Sequence, residues 1–318
     1  MTTELAENSR SNASLEDPRE IKKYEGYIRD GRFAELEPLL TDYLARNPQS
    51  DWGWYALGYT QFAQKKLGPS IQSLAKSLQL NISNAEAHKI LGRDLMLIGR
   101  FDAAKTEFEQ GVHYNPASAE LHYNLGKLYS MQDDWENARK EFEQARRLDA
   151  FYAEAIDGLG LSEEALGQDA SAVKNYEEAI ALNEQRKGTF TSPYVNLSAY
   201  YNRTENSPRA VEYADKAIQL DGKCDPAWFQ KARAAERGGD LQGAVAALNT
   251  AISLNPRASA YYYVLAGVYR KLGMKEDSKK ALDMFSQLDR ESNALDKMRR
   301  NHSKSAQTAP SPGGKSDE

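Results

Sequence analysis

Cysteine is almost missing from this sequence: Cys224 stands alone in 318 residues, so no disulfide can form within the chain. A basic excess is missing too. Lys and Arg number 41 against 46 Asp and Glu, a net charge of -5, whereas a nucleic-acid surface needs a strong positive balance. No window approaches the roughly 18 consecutive apolar residues that cross a bilayer. Residues 1–14 have neither the basic start nor the apolar core of a secretion signal, so the expected location is cytoplasmic. Proton-transfer chemistry has no obvious footing either. The carboxylate pairs Glu163-Glu164 and Glu177-Glu178 lack a His, Ser or Cys partner. Gly158-Leu159-Gly160 has no preceding strand and no third glycine, so it is not a phosphate loop. We therefore expect no catalytic residue, no cofactor and no metal.

What the sequence does contain is a repeat. An amide or carboxylate recurs at Asn47, Asn81, Asn115, Asp149, Asn183, Asp221, Asn255 and Asp289, with every step 34 residues except the 38 between Asn183 and Asp221. In a polar, helix-favouring chain this is the length of one two-helix unit, which buries its apolar face only by stacking on neighbours. At Asn47-Pro48, Asn115-Pro116 and Asn255-Pro256 proline stops the helix. The four added residues near 187–190 predict a longer second helix in the fifth repeat or a larger loop after it, and mark the expected hinge.

With the terminating Asn or Asp as position 31, the fourth repeat reads A-E-L-H-Y-N-L-G-K-L-Y from Ala119, followed by Trp135, Ala138, Phe142 and Ala145. Leu57, Gly58 and Leu74 recur in phase, as do Leu91, Gly92, Ala104 and Phe108, then Leu159, Gly160, Ala172 and Tyr176. The pattern resembles the tetratricopeptide repeat over about residues 17–289. Small residues at positions 8, 20 and 27 let helix backbones approach while larger ones fill the space between. The resemblance implies an all-α fold, a right-handed superhelical solenoid of antiparallel helix pairs. Repeats are expected at about 17–50, 51–84, 85–118, 119–152, 153–186, 191–224, 225–258 and 259–289. A capping helix is expected at 290–301, and disordered ends at 1–16 and 302–318.

In this family the concave wall is lined mainly by positions 2, 5, 9, 12 and 13 of the first helix. Those positions give an aromatic zone in repeat two, Trp52, Tyr55, Tyr59 and Phe62. Repeats three and four add Lys89, Arg93, Met96, Leu97, Tyr123, Lys127 and Met131. Repeat five is acidic, with Glu154, Asp157 and Glu164, and repeats six to eight return Arg203, Arg233, Arg237, Tyr263, Arg270 and Lys271 against Glu236. Aromatics and arginines are the usual interface anchors. The expected ligand is a protein or peptide segment with hydrophobic and acidic residues, held by a monomer that is no enzyme.

The carboxylate clamp of chaperone-binding relatives is not matched: Lys89 and Asn124 fit, Arg93 does not, and Glu154 and Gly158 stand where two cations belong. His88 and His122, both at position 4, are expected in the core. Two further readings are an accessory recognition subunit of an enzyme system, such as a protein glycosyltransferase, and self-association through end repeats.

Overall fold

The computed structural model describes residues 17–307, without the side chains of 296–307, and its described residues form sixteen helices and no strand. The expectations for 1–16 and for 308–318 lie outside the described residues, whereas 302–307, expected as the start of a disordered tail, is the last part of the final helix. Each repeat is a pair of helices, and the chain divides into two compact units, one ending at Ala150 and the other starting at Phe151. In the first, α1 (Pro18–Arg29) pairs with α2 (Phe33–Arg46), α3 (Asp51–Ala63) with α4 (Leu67–Leu80), α5 (Ala85–Leu97) with α6 (Phe101–Tyr114), and α7 (Ala119–Met131) with α8 (Trp135–Leu148). In the second, α9 (Ala153–Ala165) pairs with α10 (Asp169–Gln185), α11 (Ser192–Arg203) with α12 (Ser207–Leu220), α13 (Asp225–Arg237) with α14 (Leu241–Leu254), and α15 (Ser259–Lys271) with α16 (Lys275–Gln307).

Close approach within a pair comes from one glycine. A Cβ added at Gly92 would lie 2.5 Å from the Phe108 ring, and one at Gly126 2.7 Å from Phe142. Both rings are buried at position 24, opposite the small position 8. In repeat seven the same two positions hold Ala232 and Leu248, both buried in one cluster, a methyl group and a smaller side chain in place of glycine and ring; in repeat eight they hold Ala266, buried, and Leu282, 42% exposed.

Position 4 does more than fill space. Trp54 Nε1 donates to Pro48 O at 3.0 Å, and Trp228 Nε1 to Gly222 O at 3.0 Å. His88 Nε2 lies 2.8 Å from Ile82 O and His122 Nε2 3.2 Å from Pro116 O, while the Tyr262 hydroxyl donates to Pro256 O. In each case a ring nitrogen or hydroxyl meets a carbonyl six residues earlier, in the turn that a helix end leaves short of donors. The other ring nitrogen of His88 and His122 faces Glu107 and Glu141, each at 2.7 Å.

Two of the eight terminators do not terminate. Asn183 lies inside α10, which runs 17 residues instead of 14, and its buried side chain grips the loop beyond. Its Nδ2 donates to Phe190 O and its Oδ1 accepts from Phe190 N, at 3.2 and 3.1 Å. Residues 187–190, read from sequence as a hinge, are thus clasped at their far end. Asp289 lies inside α16, and the separate cap expected at 290–301 is the continuation of that one helix. Gln287–Glu291 and Asn293–Asp289 bonds carry α16 past the expected stop.

Candidate functional site

In the first unit the half-buried rings of Tyr55, Tyr59 and Phe62 project from α3 onto the core formed by Leu74, Ile90, Leu91 and Phe108. The Arg93 guanidinium lies over the Phe62 ring at 4.7 Å, a cation–π contact. Trp52 goes elsewhere. It stacks on Tyr24 at 6.4 Å and meets Tyr43 edge-on at 6.0 Å, so it belongs to the packing of the first repeat. Tyr123 is half-buried, its ring 5.9 Å from Phe142, while Lys127 is exposed.

Lys89 is not an open cation. It is 7% exposed and its ammonium bridges Glu86, at 2.7 Å, and Glu120. Burial opposes its charge, but the two carboxylates outweigh that and raise its pKa. The same two carboxylates add to burial in raising the Tyr55 phenol. Glu86 and Glu120 occupy position 2 of repeats three and four, so the register that selected Lys89 also held its partners. What the first unit leaves exposed here is apolar: Leu97 at 61% and Met131 at 51%, both position 13.

The second unit binds up Asp157 and Glu164 internally. Asp157 is buried, accepting from Ser192 Oγ at 2.7 Å and Asn196 Nδ2 at 2.8 Å, and burial pushes its pKa to about 6. Glu164 accepts from the Tyr176 hydroxyl at 2.9 Å and lies 3.2 Å from Arg203, which also pairs with Asp169 at 3.0 Å. Arg203 is therefore a tie between repeats. Lys271 pairs with Glu236 at 2.9 Å, and Arg237 reaches Glu205 only at 3.9 Å.

Between α13 and α15 lies a cleft of about 540 Å³. Five residues selected from sequence line it: Arg233, Arg237, Tyr263, Arg270 and Lys271. Phe229, at position 5, completes the apolar wall with Val264 and Leu282, and reading that same register in repeat seven would have found it. The Arg233 guanidinium sits 5.9 Å from the Phe229 ring centre. Among the described residues no carboxylate pairs with Arg233 or Arg270. Tyr263 is 60% exposed, its ring 5.3 Å from Phe285. Four cations with one carboxylate, beside aromatic and aliphatic walls, can bind an anionic group carried next to an apolar one. The described residues hold no cluster of three or more His, Cys, Asp or Glu placed for a metal, and no helix among them is long and apolar enough to cross a membrane.

Comparison with known proteins gives a consistent outcome. The tetratricopeptide repeat family model matches residues 91–153, 194–261 and 229–284. Anaphase-promoting complex subunit 3 of Schizosaccharomyces pombe is 20% identical over 259 residues, covering 80% of this chain and 32% of that protein. The chain thus spans about a third of that curated relative. The solved APC/C hetero-tetramer Cut9-Hcn1 superposes with a TM-score of 0.67 at 14% identity, over 77% of this chain and 48% of the other. A tetratricopeptide repeat protein from Parabacteroides merdae gives 0.63 at 16%, over 79% and 97%. These structural likenesses bear on the fold. The 34-residue register, the packing it produces and these matches converge, and the chain belongs to the tetratricopeptide repeat family.

Proposed function

We propose that this chain is a non-catalytic scaffold that holds an acidic, partly apolar segment of a partner protein. The observation that carries this reading is the cleft of the second unit, where Arg233 and Arg270 have no carboxylate partner among the described residues and stand beside Phe229 and Tyr263. Buried arginines and aromatics are the side chains on which interfaces most depend. Exposed Leu97 and Met131 in the first unit supply an apolar surface for the same or another segment. The family supports the reading, since two of the proteins above are named as parts of a multi-protein assembly, the anaphase-promoting complex subunit and the APC/C hetero-tetramer. In this reading the chain works as a cytoplasmic monomer with protein, not nucleic acid, as its ligand.

The test is affinity capture with the full chain and with an Arg233→Glu/Arg270→Glu variant whose helical content and melting are unchanged. Partners should be lost from the variant and kept by a control reversal at Arg257, an exposed residue outside the cleft. Retention of every partner by the cleft variant would sink the proposal.

A further inference from the structure

The cleft between α13 and α15 has more positive charge than one acidic side chain can use. Arg233, Arg237, Arg270 and Lys271 face a single carboxylate, Glu236, so the lining carries an excess of three positive charges in a chain whose net charge is -5. Glu236 is already taken by Lys271 at 2.9 Å, and the Arg237–Glu205 pair, at 3.9 Å, is beyond hydrogen-bond reach and open to exchange. Two guanidiniums, those of Arg233 and Arg270, are free of carboxylates among the described residues.

We infer that this cleft reads a phosphorylated side chain on the partner segment, an assignment that rests on the docking reading above. A carboxylate brings one charge and two oxygens. A phosphomonoester brings about 1.5 to 2 negative charges near neutral pH and three acceptor oxygens, enough to receive a fork of N–H donors from each of two guanidiniums. Arginine suits this task better than lysine because its donors are fixed in a plane and it is weakly hydrated. The remaining walls decide which phosphoryl ligand fits. Phe229, Tyr263, Val264 and Leu282 put apolar surface next to the cations, and Tyr263 and Leu282 are 60% and 42% exposed. That surface matches an apolar residue beside the phosphorylated one in an extended peptide. A long polyanion is disfavoured by the acidic balance of the whole chain.

The experiment uses the full chain and three degenerate peptide libraries, identical except for a central phosphoserine, serine or glutamate, read by fluorescence anisotropy. The phosphoserine library should bind at least tenfold more tightly than the serine library and severalfold more tightly than the glutamate one. Arg233→Gln and Arg270→Gln should each erase most of that difference, and Arg270→Lys, which keeps the charge and removes the fork, should erase part of it. Arginine side-chain NMR should show the Nε–Hε signals of Arg233 and Arg270 moving with inorganic phosphate and not with equal acetate.

Equal binding of the phosphoserine and glutamate libraries would overturn the phosphoryl assignment. So would tighter binding to vesicles containing phosphoinositide, or to single-stranded RNA, than to any peptide. If phosphate discrimination fails while the Arg233→Glu/Arg270→Glu variant still loses its partners, the docking reading stands and this inference alone falls. Indifference of capture to that variant removes both.

Discussion

From repeat two onward, position 13 of the first helix tells the two units apart. In the first it is Ala63, Leu97 and Met131, with the last two largely exposed; in the second, after Ala165, it is Arg203, Arg237 and Lys271, each reaching back to a carboxylate of the preceding repeat. The repeat register fixes where a side chain emerges. Its occupation depends on what the previous repeat offers one helix away. The acidic partners Glu164 and Glu236 sit at position 12 of their repeats, where the first unit has Phe62, Met96 and Ser130. So the first unit leaves Leu97 and Met131 uncovered, while the second ties Arg203 and Lys271 to carboxylates, holds Arg237 only loosely, and, among the described residues, leaves Arg233 and Arg270 in its cleft without a carboxylate.

The largest expected effects lie in the interiors, where the repeats differ in which residue faces the small position 8. Phe108→Ala should cost the first unit about 3–5 kcal/mol, because it empties a fully buried position pressed against Gly92. Gly92→Ala alone should cost about 1–3 kcal/mol by pushing a Cβ into that ring. Adding Phe108→Leu should recover part of the loss, since it recreates the Ala232–Leu248 arrangement of the second unit. Urea unfolding of the single and double variants measures this. A double variant as unstable as the sum of its parts would show that the two packings are not interchangeable.

Two buried aspartates set up the next contrast. Burial pushes both Asp94 and Asp157 to about 6, yet Asp157 has Ser192 and Asn196 as donors while neither oxygen of Asp94 has a hydrogen-bond partner. The Ser70 hydroxyl beside Asp94 is already given to Gly58 O. A carboxyl whose pKa is raised by folding binds its proton more tightly in the folded state. Stability is therefore lower above about pH 6 and is recovered as pH falls toward the unfolded value near 3.9. Asp94→Asn should stabilise the first unit by roughly 1–3 kcal/mol at pH 7.5 and by little at pH 4.5. Asp157→Asn should give no gain, because it disturbs two satisfied hydrogen bonds. Thermal melts of both variants across that pH range decide it, and equal behaviour would mean the donors around Asp157 count for nothing.

His122 bears on the same pH range. Its hydrogen bond with Glu141 raises the imidazole pKa above the ordinary value. The stabilisation is full below about 6.5 and is lost as pH rises through the folded value. His122→Gln should remove about 1 kcal/mol at pH 5.5 and less at pH 8.5. A loss that does not vary with pH would show the ring acting only as a donor to Pro116 O.

The sequence exposed the architecture because helix pairing repeats its constraints: a small residue opposite a ring, a polar residue where the turn begins. It showed less where a partner lies one repeat away. Lys89 looks like a groove cation until Glu86 and Glu120, its neighbours in space, are placed beside it. Trp52 looks like a free aromatic because the first repeat departs from the pattern, yet Tyr24 and Tyr43 claim it. The position 4 rings read as packing, since a carbonyl six residues earlier leaves no mark in side-chain pattern. Arg233 and Arg270 were legible from their repeat positions, and among the described residues no carboxylate stands against them.

The smallest expected effects sharpen the position 13 comparison itself. Exposed ion pairs contribute about 0–1 kcal/mol each, so only their order is informative. Arg203 pairs with both Glu164 and Asp169, Lys271 with Glu236 alone, and Arg237 only loosely with Glu205, because position 12 of repeat six is Asn202. Substitution by Met at each site should therefore cost most at Arg203, less at Lys271 and nothing measurable at Arg237. The differences should shrink in 0.5 M salt as screening shortens the reach of each pair. Arg237→Met matching Arg203→Met would mean that the carboxylate one repeat back is not what distinguishes these cations, and that the second unit's row is as unpartnered as Leu97 and Met131.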